Sequence, residues 1–171
     1  MELGITIPLQ KHLKLSKPDY GGFADPLFCW DLHIIRYQKK AALVVVNTGS
    51  RFICIMAGMM AKDWKNLAAT AEEAIRAGFV SEGYTKEQIE RYFALAGKSI
   101  ITKTHGRRSV AGLNRDVEYL YYIAEPIDES GLYQAYHSAE INDLPFRPAG
   151  AHSAVTPRGL LLRDMKRAGV L

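Results

Sequence analysis

Between Lys98 and Arg115 the chain carries no acidic residue, yet it holds Lys98, Lys103, Arg107, Arg108 and Arg115, with His105 among them. A basic segment of this kind offers two chemistries. Guanidinium groups form paired hydrogen bonds with phosphate or carboxylate, and a histidine beside them can act as acid or base. Lys103, His105, Arg107, Arg108, Ser109 and Arg115 are therefore the candidate anion-binding residues. No catalytic residue is assigned, and His105 is the one candidate for that role. The Walker and dinucleotide glycine signatures are absent. The structural alternative is that Ser109 caps a helix and Arg108 pairs with Asp116.

A second constellation is Cys29, Asp31 and His33, which alternate along an extended segment and so share one face of a strand. Side chains at such positions stand roughly 7 Å apart and can share a metal. The only further ligands on offer are His12 and Cys54, so no metal site is assigned. A buried thiol and a satisfied histidine are the preferred reading. Cys29 and Cys54 fit no zinc or redox spacing and are expected to be buried, reduced thiols. Asp31, His33 and Ser50 could be assembled into a hydrolytic triad on paper, but no nucleophile-elbow motif supports one. Tyr119, Tyr121, Tyr122, Tyr133 and Tyr136 follow the basic segment. They could stack bases, although amphipathic packing with wet hydroxyls is the preferred reading.

The elements that must position these residues follow from period and punctuation. The segment from Leu3 to Leu9 is apolar, with Leu13 and Leu15 beyond it at strand-like alternation. Pro18, Gly21, Gly22 and Pro26 then mark a loop. FCWDLHIIRY, AALVVVN and RFICIMAG read as three strands with short turns at Gln38-Lys39-Lys40 and Thr48-Gly49-Ser50, which predicts an antiparallel meander. A helical period runs from about Lys62 to a stop at Gly78, and a second helix opens on a Thr85/Gln88 capping box and ends at Gly97. SIITKT is a late strand. Val110, Leu113, Val117, Leu120 and Ala124 form one face of a helix that ends before Pro126. Residues 144 to 157 read as an ordered loop or tether. RGLLLRDMKRAGVL reads as a basic helix, with packing on its own chain the favoured role. The expected fold is α+β, an antiparallel sheet of about four or five strands with three or four helices packed on it.

The 171 residues are read as a single domain, with 126 to 171 a less regular extension. The composition is 48% hydrophobic and 23% charged with a net charge of +4, which permits an anionic partner without requiring one. No apolar run approaches the roughly 20 residues of a membrane span. The opening MELGITIPLQKHLKL lacks the pattern of a signal peptide, so no membrane association and a cytoplasmic location are expected.

Trp30, the run LVVVN ending at Asn47, and THGRRSVAGLNRD resemble an uncharacterised bacterial family known only as a domain of unknown function. The family's shared feature is an Arg-Ser-Val-x-Gly-x-x-x-Asp motif after a late strand. Here it falls on Arg108, Ser109, Val110, Gly112 and Asp116. Where that family usually reads Ser-Met-Asn-Asp after the glycine, this chain has Leu-Asn-Arg-Asp. The resemblance covers about residues 1 to 125 and implies an architecture but no activity.

Three functions fit these residues. The first is a non-enzymatic binding module whose basic strand-loop-helix turn contacts an anionic partner, nucleic acid being the leading case. A second is a protein-protein interaction or inhibitor factor of a mobile element, acting or dimerising through the C-terminal tail. Last comes a small enzyme using His105 with Arg107 and Arg108 on an anionic substrate. No cofactor is called for.

Overall fold

A computed structural model describes residues 1–22, 25–148, 150 and 152–171. Five strands form one sheet in the order β4-β3-β2-β1-β5: β1 is Glu2–Ile5, β2 Cys29–Tyr37, β3 Lys40–Asn47, β4 Ile53–Ala57 and β5 Ile100–Lys103. The expected meander is present in β2, β3 and β4, which pair antiparallel. Gln38 and Lys39 close its first hairpin with both φ angles positive, the geometry of a tight turn matched to strand twist. The sheet as a whole is mixed, not antiparallel. β1 lies between β2 and β5 and runs parallel to both. Parallel neighbours need long crossovers, and here they are supplied by residues 6–28 and by the helices between β4 and β5.

Those helices are α2 (Ala61–Lys65), α3 (Leu67–Ser81) and α4 (Lys86–Ala96). The expected single helix from Lys62 is two, broken at Asn66, and Gly78 does not stop it. Gly78 sits inside α3, where a Cβ would come within 2.5 Å of Cys54 Sγ. Glycine is there so that α3 can lie close on β4. The expected capping box of α4 is formed: Thr85 Oγ1 accepts from Gln88 N at 3.3 Å, and Gln88 Oε1 accepts from Thr85 N at 2.8 Å.

Among the described residues there are seven α-helices, more than the three or four expected. The additional ones are short. They include α1 (Ile7–His12) and α6 (Ala135–Asn142), which contribute Leu9 and Ile141 to the core. Helices cover both faces of the sheet. On one face Trp30, Leu32, Leu43 and Val45 meet Ala71, Ile75 and Phe79 of α3 and Tyr92 of α4. On the other, Val44, Val46, Ile53 and Ile55 meet Leu113 and Leu120 of α5 (Arg107–Leu120) and Ile141. With both faces buried, β3 can carry its continuous apolar run.

Trp30 and Asn47 have structural roles. Trp30 Nε1 donates to Tyr92 Oη at 2.8 Å, and Tyr92 Oη donates to the Leu27 carbonyl at 2.8 Å. All of this is buried, so Tyr92→Phe should leave the indole donor of Trp30 unsatisfied, while the Leu27 carbonyl keeps Asn47. Denaturant titration is expected to show a loss of about 1–3 kcal/mol; an unchanged midpoint would show that the hydroxyl is not part of the fold's support. Asn47 donates to the Leu27 carbonyl at 2.9 Å and accepts from Ser50 N at 2.9 Å. It thereby ties the end of β3 to the short 3-10 turn Pro26–Phe28 that leads into β2.

The C-terminal segment folds back on the chain. Leu161 and Met165 of α7 (Pro157–Arg167) belong to the main core. Arg158 bridges Glu82 at 2.6 Å and Asp143 at 2.8 Å, and Arg167 bridges Asp25 at 2.8 Å. In the expected loop 144–157, positions 149 and 151 lie outside the described residues. Its two ends are joined by backbone hydrogen bonds between Phe146 and Val155.

Candidate functional site

The parallel pairing of β1 with β2 sets Glu2 beside Cys29 and Gly4 beside Asp31. Gly4 has no side chain to block Asp31. A Cβ there would stand 2.3 Å from Asp31 Oδ1 and 2.8 Å from Thr104 Cα. The Asp31 carboxylate therefore leans across β1 and meets the loop that leaves β5. It accepts from His105 N at 3.1 Å and from Ser109 Oγ at 2.5 Å, and lies 2.7 Å from His105 Nδ1. The far side of the imidazole, Nε2, is 3.1 Å from Glu2 Oε2, and Cys29 Sγ is 4.0 Å from the same oxygen. Gly22 N donates to the other Glu2 oxygen at 2.6 Å.

Asp31 is fully buried, and Glu2 and Cys29 nearly so. Burial alone would push the histidine's pKa down, but hydrogen bonds with Asp31 and Cys29 and their charges outweigh it. His105 is raised to about 10. The ring lies between the carboxyl groups of Asp31 and Glu2, an arrangement that favours its charged form.

Above this cluster opens a cavity of about 1130 Å³. Glu2, Cys29 and His105 line its floor, and Lys103, Arg108, Arg115, Arg51 and Arg147 line its walls, with Tyr20 and Phe146 as aromatic surface. Lys103 Nζ lies 3.7 Å from the centroid of the Tyr20 ring. Arg51, a non-glycine residue with φ 62°, bridges Asp116 of α5, donates to the Gly112 carbonyl at 3.2 Å and lies 4.4 Å from the Phe146 ring centroid. Burial raises the Asp116 carboxyl to about 6, against the lowering effect of Arg51.

The sequence motif is thus decoded by one helix face. Ser109 holds Asp31, while Gly112 and Asp116 hold Arg51; a Cβ on Gly112 would stand 3.2 Å from Arg51 Nε. Ser109 is not the helix cap, since Gly106 occupies that position with φ 104°. Nor does Arg108 pair with Asp116, because Arg51 does. Arg108 is exposed and lines the cavity.

Of the six anion-binding candidates, Lys103, His105, Arg108, Ser109 and Arg115 line this cavity, and Arg107 is exposed outside it. From the strand trio, Cys29 and Asp31 join the cluster. His33 instead places Nδ1 2.8 Å from Thr6 Oγ1, and burial lowers its pKa. His12 packs edge-on against Trp64, and Cys54 lies in the core on the opposite face. Neither cysteine forms a disulfide. The tyrosines from Tyr119 to Tyr136 do not line the cavity. Glu2, Tyr20, Arg51, Phe146 and Arg147 were not legible as site residues, because only tertiary packing brings them together.

Fold and site define an α+β protein with a basic cleft set over a buried histidine-carboxylate-thiol cluster. The model of a family described as a domain of unknown function, DUF6933, matches residues 2–159, and the chain belongs to that family. The match reaches well past residue 125, where the sequence resemblance was expected to end, and takes in α6 and the start of α7. No curated protein and no solved structure matches the chain. Among the described residues no helix is long and apolar enough to cross a membrane.

Proposed function

We propose that the protein is a binding module for a phosphate- or carboxylate-bearing ligand of about nucleotide size, held in the cleft. The observation that carries this is convergence: Lys103, Arg108, Arg115 and Arg147 surround one cavity, with Tyr20 and Phe146 offering aromatic surface to a ligand's apolar part. Charge gathered in a concavity acts through a lower effective dielectric than charge on an open face. Arg158 and Arg167 of α7 are engaged with acids, which weighs against an extended basic band for a duplex. The apolar side of α7 lies in the core, which leaves less support for a tail-mediated protein partner. Buried cysteines outside any disulfide are in keeping with a cytoplasmic setting.

Calorimetric titration with inorganic pyrophosphate and with adenosine diphosphate at low salt tests the reading. Binding at one site is expected, weakening as salt is added. The Arg108→Ala/Arg115→Ala variant should bind at least ~10-fold more weakly, since a hydrogen bond to a charged group contributes about 1.5–3 kcal/mol. Absence of binding by either probe, or equal binding by the variant, would refute it.

A further inference from the structure

The geometry points to a zinc-type metal site on the floor of the cleft, with Glu2 Oε2, Cys29 Sγ and His105 Nε2 as ligands and the fourth position open to the cavity. The three donor atoms come from β1, β2 and the β5-α5 loop, and all lie within 4.8 Å of one another. In a tetrahedral zinc site with ordinary bond lengths, a nitrogen and an oxygen ligand stand about 3.3 Å apart, and a sulfur and an oxygen about 3.5 Å. The observed Nε2–Oε2 separation is 3.1 Å and the Sγ–Oε2 separation 4.0 Å. Bringing Sγ to that tetrahedral distance from Oε2 requires a shift of about half an ångström.

The surrounding hydrogen bonds are those a metal site requires. Metal-binding histidines donate their other ring nitrogen to a carboxylate, which fixes tautomer and orientation. Asp31 fills that place on Nδ1 at 2.7 Å, and is itself held by Ser109 at 2.5 Å. Gly22 N occupies Glu2 Oε1, leaving Oε2 as the oxygen turned toward His105 and Cys29. Each ligand therefore presents one atom to a common centre. A set of thiolate, imidazole and carboxylate selects zinc or a similar borderline ion over magnesium or calcium. Binding requires the thiol proton of Cys29 and the proton on His105 Nε2 to leave to solvent. Three protein ligands with an open position is the arrangement of sites that take up a water or a ligand. Arg108 and Lys103 on the walls would place a phosphate or carboxylate within reach of that position.

The site stands independently of the anion reading, and its test uses metal alone. Chelator-treated full-length protein is titrated with Co²⁺. One equivalent is expected to produce a thiolate-to-cobalt charge-transfer band with tetrahedral visible absorption, displaced by Zn²⁺. Cys29→Ser should abolish the charge-transfer band. Asp31→Asn should keep it while weakening affinity about 10- to 100-fold. His33→Ala, whose side chain bonds Thr6 instead, should change neither. Failure of the unaltered protein to bind Co²⁺ or Zn²⁺ stoichiometrically would overturn the assignment whatever the variants do. So would a charge-transfer band that survives in Cys29→Ser. A failed metal titration would leave the pyrophosphate result standing, and the converse holds as well.

Discussion

Asp31→Ala is expected to destabilise the protein by about 3–5 kcal/mol, the cost of leaving a buried charged partner uncompensated. Asp31 is fully buried, and three groups depend on it: the His105 backbone N–H, the His105 ring and the Ser109 hydroxyl. Without the carboxylate, the β5-α5 loop loses its anchor to β2, and the His105 ring keeps only Glu2 and Cys29. Asp31→Asn retains an acceptor for the histidine and can donate to Ser109, so its loss should be clearly smaller. Guanidinium denaturation of the two variants beside the wild type measures both. Equal, negligible losses would mean that the loop is held by its own backbone alone.

Arg51→Ala has the next largest expected effect, and its pH dependence identifies the cause. Arg51 and Asp116 form a nearly buried pair, 15% and 4% exposed at the side chain. Removing the guanidinium leaves a buried carboxylate at neutral pH, at a cost of about 3–5 kcal/mol. The folded Asp116 carboxyl, raised to about 6 from 3.8, already binds its proton more tightly than the unfolded chain does. For such a group stability rises as pH falls from the folded pKa toward the unfolded one, because the native state holds more protons in that window. Losing Arg51 lifts the folded value further, so the variant's recovery should begin at higher pH than any gain in the wild type. The difference between the two should shrink on acidification from about pH 8 to about pH 5, by at most about 1.4 kcal/mol per unit. A deficit independent of pH would assign the loss to packing against Phe146 and Gly112 and remove Asp116 from the account.

Local pattern carried much of the fold and little of the site. The β2-β3-β4 meander was legible because its turns are short, and α4 because Thr85 and Gln88 form a capping box. The placement of β1 between β2 and β5 was not, since its partners are distant in sequence and nothing in ELGI names them. α6 escaped because AYHSAEIN has almost no apolar period. In the site, alternation correctly put Cys29 and Asp31 on one strand face. It could not show that Gly4 opens a path for Asp31 to reach His105, or that Glu2 takes the place expected of His33. Arg108, Ser109, Gly112 and Asp116 were legible as a motif. Their division of labour depends on Arg51, which arrives from the β3-β4 turn with a left-handed backbone and no sequence signal.

The proposed anion recognition belongs to the cleft and not to the basic segment as a whole. Arg107 and Arg108 are adjacent, equally charged and both exposed, but only Arg108 lines the cavity. Pyrophosphate affinity of Arg107→Ala and Arg108→Ala, measured side by side, separates the two possibilities. Arg108→Ala should weaken binding at least ~10-fold while Arg107→Ala stays within about twofold of wild type. Equal weakening by both would place recognition on the open surface and contradict the account.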